Sequence, residues 1–157
     1  MILLEKWLPG HGRTATWLNC DLPKETPMAT ADGKTIPFVG PDHIETRVLE
    51  TFGYSGPDQE IVTETSEFSA VCPYSGLPDF ARLVIRYIPA KRCVELKSLK
   101  YYITSYRSVG IFQEHATARL AEDLDRLLEP KRLTVTTVYN VRGGFETTCS
   151  VSLPAVG

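Results

Sequence analysis

The stretch LTVTTVYNVRGGFETTCSVSL, residues 133–153, decides the fold because it has the pattern of a complete β-hairpin. From Phe145 onward, Phe145, Thr147 and Cys149 alternate with more polar neighbours, as in a strand with one covered face. Between the two halves, Arg142-Gly143-Gly144 provides a turn, since glycine adopts the left-handed backbone that tight hairpins require. We therefore predict strands over residues 133–141 and 145–153.

Two helices and two further strands are predicted upstream of this hairpin. The more regular helix covers about residues 111–128, where apolar residues recur at helical spacing and Pro130 stops the helix. A shorter helix is expected near residues 98–105. Apolar and polar residues alternate near 61–71 and 82–88, which favours a strand in each place.

The order of these elements is two strands, two helices and two strands, which suits an α+β domain. In such a domain a four-stranded antiparallel sheet carries both helices on one face. Its two edges have unpaired backbone groups, and subunit association is a natural way to cover them. Residues 1–44 are rich in turn formers, so we predict an irregular N-terminal arm followed by one domain over residues 45–157.

Composition limits the class of protein. The 157 residues carry a formal net charge of −2, which gives no basic field for direct nucleic acid binding. No apolar run reaches the length of a membrane span, and Glu5 and Lys6 interrupt the first apolar residues, unlike a signal peptide core. We therefore expect a soluble cytoplasmic protein.

Cysteine and histidine spacing does not suggest a metal site. The four cysteines form no Cys-x-x-Cys pair, and the three histidines complete no zinc spacing. We expect no metal, reduced thiols, and ordinary packing or exposure for Cys20, Cys93 and Cys149.

Cys72 and Asp79 lie at the two ends of one turn-rich segment. Thiolate is the nucleophilic form of cysteine, and an atom that gains electron density during attack needs a nearby proton donor. Pro73, Gly76 and Pro78 favour consecutive turns, which would bring both ends of the segment to the same space. The alternative is a loop with an incidental cysteine and a solvated or capping aspartate.

Two other stretches carry candidate binding groups. Lys97 and Lys100 share a helical face beside Ser98, as in a phosphate site at a helix start, although the lysines of an amphipathic helix are also simply solvated. Gln113 and Glu114 open the longer helix, where a carboxylate can accept paired N–H donors from a flat amide-like ligand or serve only as a first-turn residue.

Taken together, these stretches resemble the NADPH-dependent 7-cyano-7-deazaguanine reductases, the nitrile reductases of queuosine biosynthesis. The resemblance covers about residues 45–153 in the short single-module form. The segments that carry it are Leu49-Glu50-Thr51-Phe52, Glu67-Phe68-Ser69-Ala70-Val71-Cys72-Pro73, Gly76-Leu77-Pro78-Asp79-Phe80, Glu95-Leu96-Lys97-Ser98-Leu99-Lys100-Tyr101-Tyr102, Ser105-Tyr106-Arg107, Phe112-Gln113-Glu114 and Arg142-Gly143-Gly144.

The resemblance implies a tunnelling fold, in which several copies of the sheet join into a barrel with active sites between subunits. It implies reduction of a deazapurine nitrile to an aminomethyl group with two NADPH per turnover. Cys72 then matches the nucleophile that forms a thioimide, and Asp79 matches the general acid. The positions that match the substrate pocket are Val94, Glu95, Leu96, Gln113 and Glu114. The positions that match the NADPH segment are Lys97, Ser98 and Lys100, with Arg142 and Gly143 as weaker candidates for phosphate or intersubunit contacts.

One departure and three alternatives stay open at this stage. Many members carry histidine where this chain has Gln113, so the effect of that residue on substrate positioning is undecided. A tRNA nitrile amidinotransferase with the same thioimide chemistry, a purine- or pterin-binding module, and a zinc-dependent cyclohydrolase of similar architecture are the rivals. The lysine segment and the lack of a basic surface argue against the first, and the missing ligand set against the last.

Overall fold

Six strands and two α-helices make up the part of the chain that the structure, a computed structural model, describes: residues 33–34 and 36–154. The strands and helices are β1 (Thr51–Gly53), β2 (Ile61–Val71), β3 (Pro78–Ile88), β4 (Arg92–Val94), α1 (Leu96–Ser105), α2 (Gln113–Leu128), β5 (Arg132–Arg142) and β6 (Phe145–Leu153). Short 3-10 helices cover Pro41–His43, Thr46–Val48 and Tyr106–Ser108. Most of the predicted N-terminal arm lies outside the described residues.

The main sheet has four antiparallel strands in the order β2-β3-β5-β6. This confirms the α+β class and the terminal hairpin, whose turn contains Gly143 and Gly144 at φ values of 57° and 86°. The short strands β1 and β4 pair in a separate two-stranded sheet. For β4 the sequence predicts only a brief extended stretch over residues 93–95, and for β1 it predicts no strand, because three-residue strands carry too few positions to show alternation.

Strand β3 begins at Pro78, four residues before the predicted start. Asp79 is therefore a strand residue, and the prediction that Pro78 belongs to a turn is wrong. Proline lacks the N–H that a ladder uses, but a first strand position tolerates that loss. Within β3, Asp79 and the alternate residues after it are buried, while most of those between them are exposed.

Both helices begin where local hydrogen bonds place them. Helix α1 starts two residues before the predicted start because the Glu95 carboxylate accepts hydrogen bonds from the Lys97 and Ser98 N–H groups at 2.9 and 2.7 Å. Helix α2 starts two residues later than predicted, at Gln113, because Ile111 is still extended and donates its N–H to the Val71 carbonyl at 3.0 Å.

The core lies between one face of the sheet and the two helices. Helix α2 packs over β5 and β6, and α1 packs near β2. The largest fully buried side chains in the described chain include Phe68, Tyr102, Tyr106, Leu120 and Leu124. The opposite face of the sheet is more exposed, so any group that the sheet directs toward the helices is shielded from water.

Candidate active site

An irregularity in β2 turns Cys72 toward the helix-covered side of the sheet. Thr65 pairs with Leu83. The next regular pair is Phe68 with Ala81, so two residues of β2 oppose one residue of β3. This β-bulge moves the inward positions of the strand from odd to even numbers. Phe68 is consequently buried in the core, and even-numbered positions lead on to Cys72.

The turn between β2 and β3 fixes the thiol in place. The Cys72 N–H donates to the Leu77 carbonyl at 2.9 Å, and the Gly76 N–H donates to the Cys72 carbonyl at 2.8 Å. Gly76 has a φ of 70°, a left-handed conformation that glycine adopts at little cost. Cys72 is only 8% exposed. The reactive sulfur is therefore held by a tight turn, as the sequence suggested for Gly76.

Asp79 lies beside this turn and is almost fully shielded. It opposes Ala70 in the β2–β3 ladder and is 4% exposed. Arg142 donates from Nη1 to Asp79 Oδ1 at 2.7 Å. Among the described residues, Arg142 is the one cation that forms an ion pair with Asp79. Loss of Arg142 would therefore leave a buried negative charge without compensation.

A second β-bulge directs Arg142 to this place. Tyr139 pairs with Thr147, and the next regular pair is Arg142 with Phe145, so two residues of β5 oppose one of β6. Without the extra residue, the alternation of β5 would direct position 142 to the other face of the sheet. The two bulges therefore bring Cys72, Asp79 and Arg142 to one side.

The environment shifts the pKa values of the thiol and the carboxyl in opposite directions. Burial raises the pKa of Cys72, but hydrogen bonds from Ser75, Arg142 and the Tyr74 backbone outweigh it and lower the pKa to about 7. Burial raises the pKa of Asp79, and the charge and hydrogen bonds of Arg142, with a hydrogen bond from Gln113, only partly oppose it. The thiol therefore loses its proton at a lower pH than an ordinary cysteine, and the carboxyl keeps its proton to a higher pH than an ordinary aspartate.

These groups open into a cavity of about 270 Å³ at the start of α2. Phe112 is the N-cap of this helix and has no side chain that caps it, so the positive end of the helix dipole lies at the cavity. The residues that line the cavity are Cys72, Asp79, Phe112, Gln113, Glu114, Asn140, Arg142, Phe145 and Thr147. The structure thus brings together five predicted site residues: Cys72, Asp79, Gln113, Glu114 and Arg142.

Four residues of this cavity were not in the predicted site: Phe112, Asn140, Phe145 and Thr147. Two signals point to them once the strands are paired. Asn140 lies in the β5 bulge, where a polar residue interrupts the apolar alternation of the strand. Phe145 and Thr147 share a face of β6, and Phe145 pairs with Arg142.

The other predicted site residues lie at the start of α1, outside this cavity. Val94 is buried and donates its N–H to the Tyr87 hydroxyl at 3.3 Å. A separate depression of about 370 Å³ is lined by Val48, Glu50, Glu95, Lys97, Ser98 and Tyr101. Lys100 lines another cavity, of about 220 Å³, between β2 and α1. Gly143 lies in the β5–β6 turn.

Ser98 and Glu95 are engaged within the chain. The Ser98 hydroxyl donates to the Glu95 carbonyl at 2.7 Å and accepts from the Glu50 N–H at 3.0 Å. The Glu95 carboxylate caps α1 and has a lowered pKa because the Lys97 and Ser98 N–H groups bind its charged form. Lys97 and Lys100 keep exposed side chains one turn apart on α1.

The fold and this cavity define an α+β protein with the groups for covalent thiol catalysis. A family model described as QueF-like protein matches residues 78–155. The NADPH-dependent 7-cyano-7-deazaguanine reductase of Thermotoga petrophila is 53% identical over 122 residues, 77% of this chain and 89% of the relative. The protein of the same name from Caldicellulosiruptor bescii is 56% identical over 110 residues, 69% of this chain and 84% of the relative.

The chain belongs to the family of NADPH-dependent 7-cyano-7-deazaguanine reductases, which confirms the resemblance drawn from its motifs. A crystal structure of the archaeosine synthase QueF-Like in the apo form has a TM-score of 0.57 and 23% identity, and the match covers 66% of this chain and all of that one. At that identity the likeness concerns the fold alone. Among the described residues, no helix is long and apolar enough to cross a membrane.

Proposed function

We propose that this chain reduces the nitrile of 7-cyano-7-deazaguanine to an aminomethyl group with NADPH, through a thioimide on Cys72. The observation that carries the proposal is a buried carboxyl, Asp79, in one cavity with a thiol whose pKa is lowered to about 7. A nitrile needs a nucleophile at carbon and a proton at nitrogen, and these two groups supply both. Membership in the reductase family supports this choice of reaction.

In the first step, the Cys72 thiolate attacks the nitrile carbon. The C–S bond forms as one C–N π bond breaks, and the nitrogen takes the proton of Asp79. The product is a neutral thioimide, so no anion has to be stabilised on nitrogen. The tight turn at Cys72 and the strand position of Asp79 hold the two groups without further ordering, so alignment costs little entropy.

Reduction of the thioimide needs hydride, which NADPH supplies when bound, and two NADPH are required because a nitrile takes up four electrons to become an amine. The exposed ammonium groups of Lys97 and Lys100 on α1 suit phosphate groups. Ser98 is already hydrogen bonded to Glu50 and Glu95, so we assign it the task of holding the start of this helix. Once the first hydride and a proton have added across the C=N bond, the C–S bond would break as the C=N bond re-forms and an N–H proton passes to sulfur. Cys72 would then leave as the thiol, and the remaining imine would take the second hydride and a proton to give the amine.

Recognition of the base is assigned to the start of α2. Glu114 lines the cavity and can accept two N–H groups from a flat guanine-like edge, and Gln113 lies beside it. Val94, Glu95 and Leu96 do not line this cavity within one chain. We therefore assign them to the base pocket of a neighbouring subunit.

This assignment requires a homo-oligomer, and we propose a tunnelling-fold barrel formed by domains of residues 45–157. Strands β2 and β6 are the two edges of the main sheet and are the surfaces by which copies would join. Co-expression of Cys72→Ala with Glu95→Gln tests shared sites. If each site uses both subunits, random mixing should give about one quarter of the sites an intact Cys72 from one subunit and an intact Glu95 from its neighbour, and these sites should be active. Mixtures without activity would indicate that both residues of a site come from one chain.

Intact-protein mass spectrometry tests the proposed reaction. Mixing with 7-cyano-7-deazaguanine alone should add the mass of the whole base at Cys72, and NADPH should then remove it and release the amine. Cys72→Ala should show neither event. Adduct without NADPH oxidation would favour the amidinotransferase alternative, and binding of the base without any adduct would favour a binding module.

A further inference from the structure

We propose that Arg142 is the shared counter-ion of Cys72 and Asp79, so that the three side chains hold one proton and one negative charge between them. The proton passes from sulfur to the Asp79 carboxyl and from there to the nitrile nitrogen. This inference rests on the proposed function above. It places Arg142 at the reacting atoms, in place of the NADPH phosphate contact that the family resemblance implies.

The contacts of Arg142 support a role at the reacting groups. Its guanidinium donates to Asp79 Oδ1 at 2.7 Å and lines the same cavity as Cys72, and interaction with the thiol and the carboxyl raises the pKa of Arg142 above its ordinary value. Guanidinium has five N–H donors in a planar fork, so one side chain can serve both acceptors. A phosphate ligand would have to compete with two partners that are already in place.

The charges that meet in the cavity limit the number of protons. Cys72 and Asp79 are both buried, whereas Glu114, which lines the same cavity from α2, is exposed to water and needs no buried counter-ion. Arg142 is the one cationic side chain among the lining residues. Two buried anions against one cation would leave an uncompensated charge, which is costly, whereas one anion and one cation balance. The lowered pKa of Cys72 and the raised pKa of Asp79 agree with a proton that either group can hold.

The proton balance of the attack then needs no outside acid. In the resting pair, Cys72 is S–H and Asp79 is carboxylate, or Cys72 is thiolate and Asp79 is carboxylic acid. Attack from the second state forms the C–S bond, and the carboxyl proton moves to nitrogen. The Asp79 carboxylate that remains keeps Arg142 as its ion-pair partner, so the net charge of the site is unchanged throughout.

The backbone also directs Arg142 to this place. The bulge in β5 adds one residue between Tyr139 and Arg142. A regular strand would direct position 142 to the open face of the sheet, away from Asp79. Bulges are found next to active sites, where they redirect a side chain.

The test measures the pKa of Cys72 without substrate or cofactor. Iodoacetamide alkylation is followed against pH, with the Cys72 peptide resolved by mass spectrometry. Arg142→Gln should move the pKa from about 7 toward the ordinary thiol value. At pH 7 that shift cuts the thiolate fraction, and hence the alkylation rate, several-fold, because the hydrogen bonds from Ser75 remain in place. Arg142→Lys keeps the charge and should lie between the two.

Two further variants complete the design. Asp79→Asn removes the competing anion, so the Cys72 pKa should fall below that of the wild type, opposite to Arg142→Gln. Arg82→Gln is the matched control, because Arg82 is an exposed arginine of the neighbouring strand β3, paired with Glu64 at 3.5 Å. It should leave the alkylation profile unchanged. Urea unfolding midpoints confirm that each variant is folded.

If the pH profile of Cys72 alkylation is unchanged in folded Arg142→Gln and Arg142→Lys and only the KM for NADPH rises, the inference is overturned. That result would support a role for Arg142 in binding NADPH. The inference is also overturned if Arg142→Gln and Asp79→Asn shift the pKa in the same direction. Failure of the proposed function is separate, since it would appear as wild-type protein that forms no nitrile adduct whatever its thiol pKa.

Discussion

The Asp123 carboxylate accepts a hydrogen bond from the Tyr102 hydroxyl at 2.8 Å, although the Asp123 side chain is only 1% exposed. Arg119 donates from Nε to the same oxygen at 2.7 Å, and the Thr46 hydroxyl does so at 3.0 Å. Tyr102 is in turn hydrogen bonded to Tyr106 at 2.9 Å. One buried charge therefore links α2 to α1 and to the 3-10 turn at Thr46–Val48, and candidate site residues lie at the start of each of these two helices.

Asp123→Asn should destabilise the fold strongly. The neutral asparagine cannot balance Arg119, and with its oxygen facing the other donors its N–H₂ group replaces the oxygen that faces Arg126. We therefore expect a loss of about 3 kcal/mol in the free energy of unfolding. Urea denaturation followed by circular dichroism measures it. Glu122→Gln, on an exposed neighbouring position of the same helix, should change stability little. A comparable loss in both variants would mean that the network adds nothing specific.

Tyr102→Phe should cost less, about 1–2 kcal/mol, because Asp123 keeps Arg119 and Thr46. The ring still fills the core, so no cavity forms. The same urea titration measures the change. A loss as large as that of Asp123→Asn would show that the tyrosine hydroxyl, and not the ion pair, is the main stabilising contact.

The pH dependence of thioimide formation should oppose that of alkylation. Cys72 has a lowered pKa of about 7, so alkylation rises as pH increases through that value. Above it, Cys72 and Asp79 have both lost their protons, and none is left for the nitrile nitrogen, so adduct formation should fall. Of the other groups near the pair, Arg142 has a raised pKa and stays charged, and burial raises the pKa of Tyr139 to about 12.

Asp79→Asn should slow adduct formation about 10²–10⁴-fold at pH 7, the usual effect of losing a general acid. Its adduct rate should no longer fall at high pH. Mass spectrometry of quenched mixtures gives both rates. Asp58→Asn, at an exposed carboxylate that pairs with Lys131, is the control. A wild-type profile that rises with pH in both reactions would exclude Asp79 as the acid.

Glu114→Gln should weaken binding of the base by about 10–100-fold, since a hydrogen bond to a charged acceptor contributes about 1.5–3 kcal/mol. The measurement is calorimetry with 7-cyano-7-deazaguanine on the Cys72→Ala background, where no adduct can form. Glu122→Gln serves again as the matched carboxylate on α2. Equal affinity in both variants would remove Glu114 from the base site.

Lys97→Ala and Lys100→Ala should each raise the KM for NADPH roughly tenfold, with a smaller effect on NADH if the charges bind the additional phosphate. Stability should barely change, because the Lys100–Glu67 pair at 3.4 Å is exposed. Lys91→Ala, at an exposed position before β4, is the control. An unchanged KM would favour the simpler interpretation of solvated lysines.

The sequence was sufficient for the order and type of the main elements because each has enough residues to show its period. Strand β2 and the β6 half of the hairpin were predicted at their observed bounds. The start of α1 shifted by two residues because the Glu95 side chain caps the helix, and the start of α2 shifted because Ile111 is hydrogen bonded to Val71 of β2. The start of β3 was missed because Pro78 reads locally as a turn, whereas pairing with Val71 makes it a strand residue.

The cavity itself was only partly predictable. Motifs indicated Cys72, Asp79 and Glu114, but the contact between Arg142 and Asp79 joins residues 63 positions apart. That contact depends on a bulge, and a bulge appears only when two strands are paired. The same limit hid Asn140 and Thr147, whose neighbours in space come from other elements.

The two bulges make the reactive centre sensitive to residue count more than to residue identity. Most substitutions around positions 66–67 or 140–141 would leave the pairing intact. Removal of one residue at either place would instead turn the side chains that follow in that strand, up to the next turn, to the opposite face of the sheet. Single-residue deletions and insertions there should therefore abolish activity in chains that still form the sheet. A variant library would find positions 66, 67 and 141 tolerant of replacement but not of changes in length.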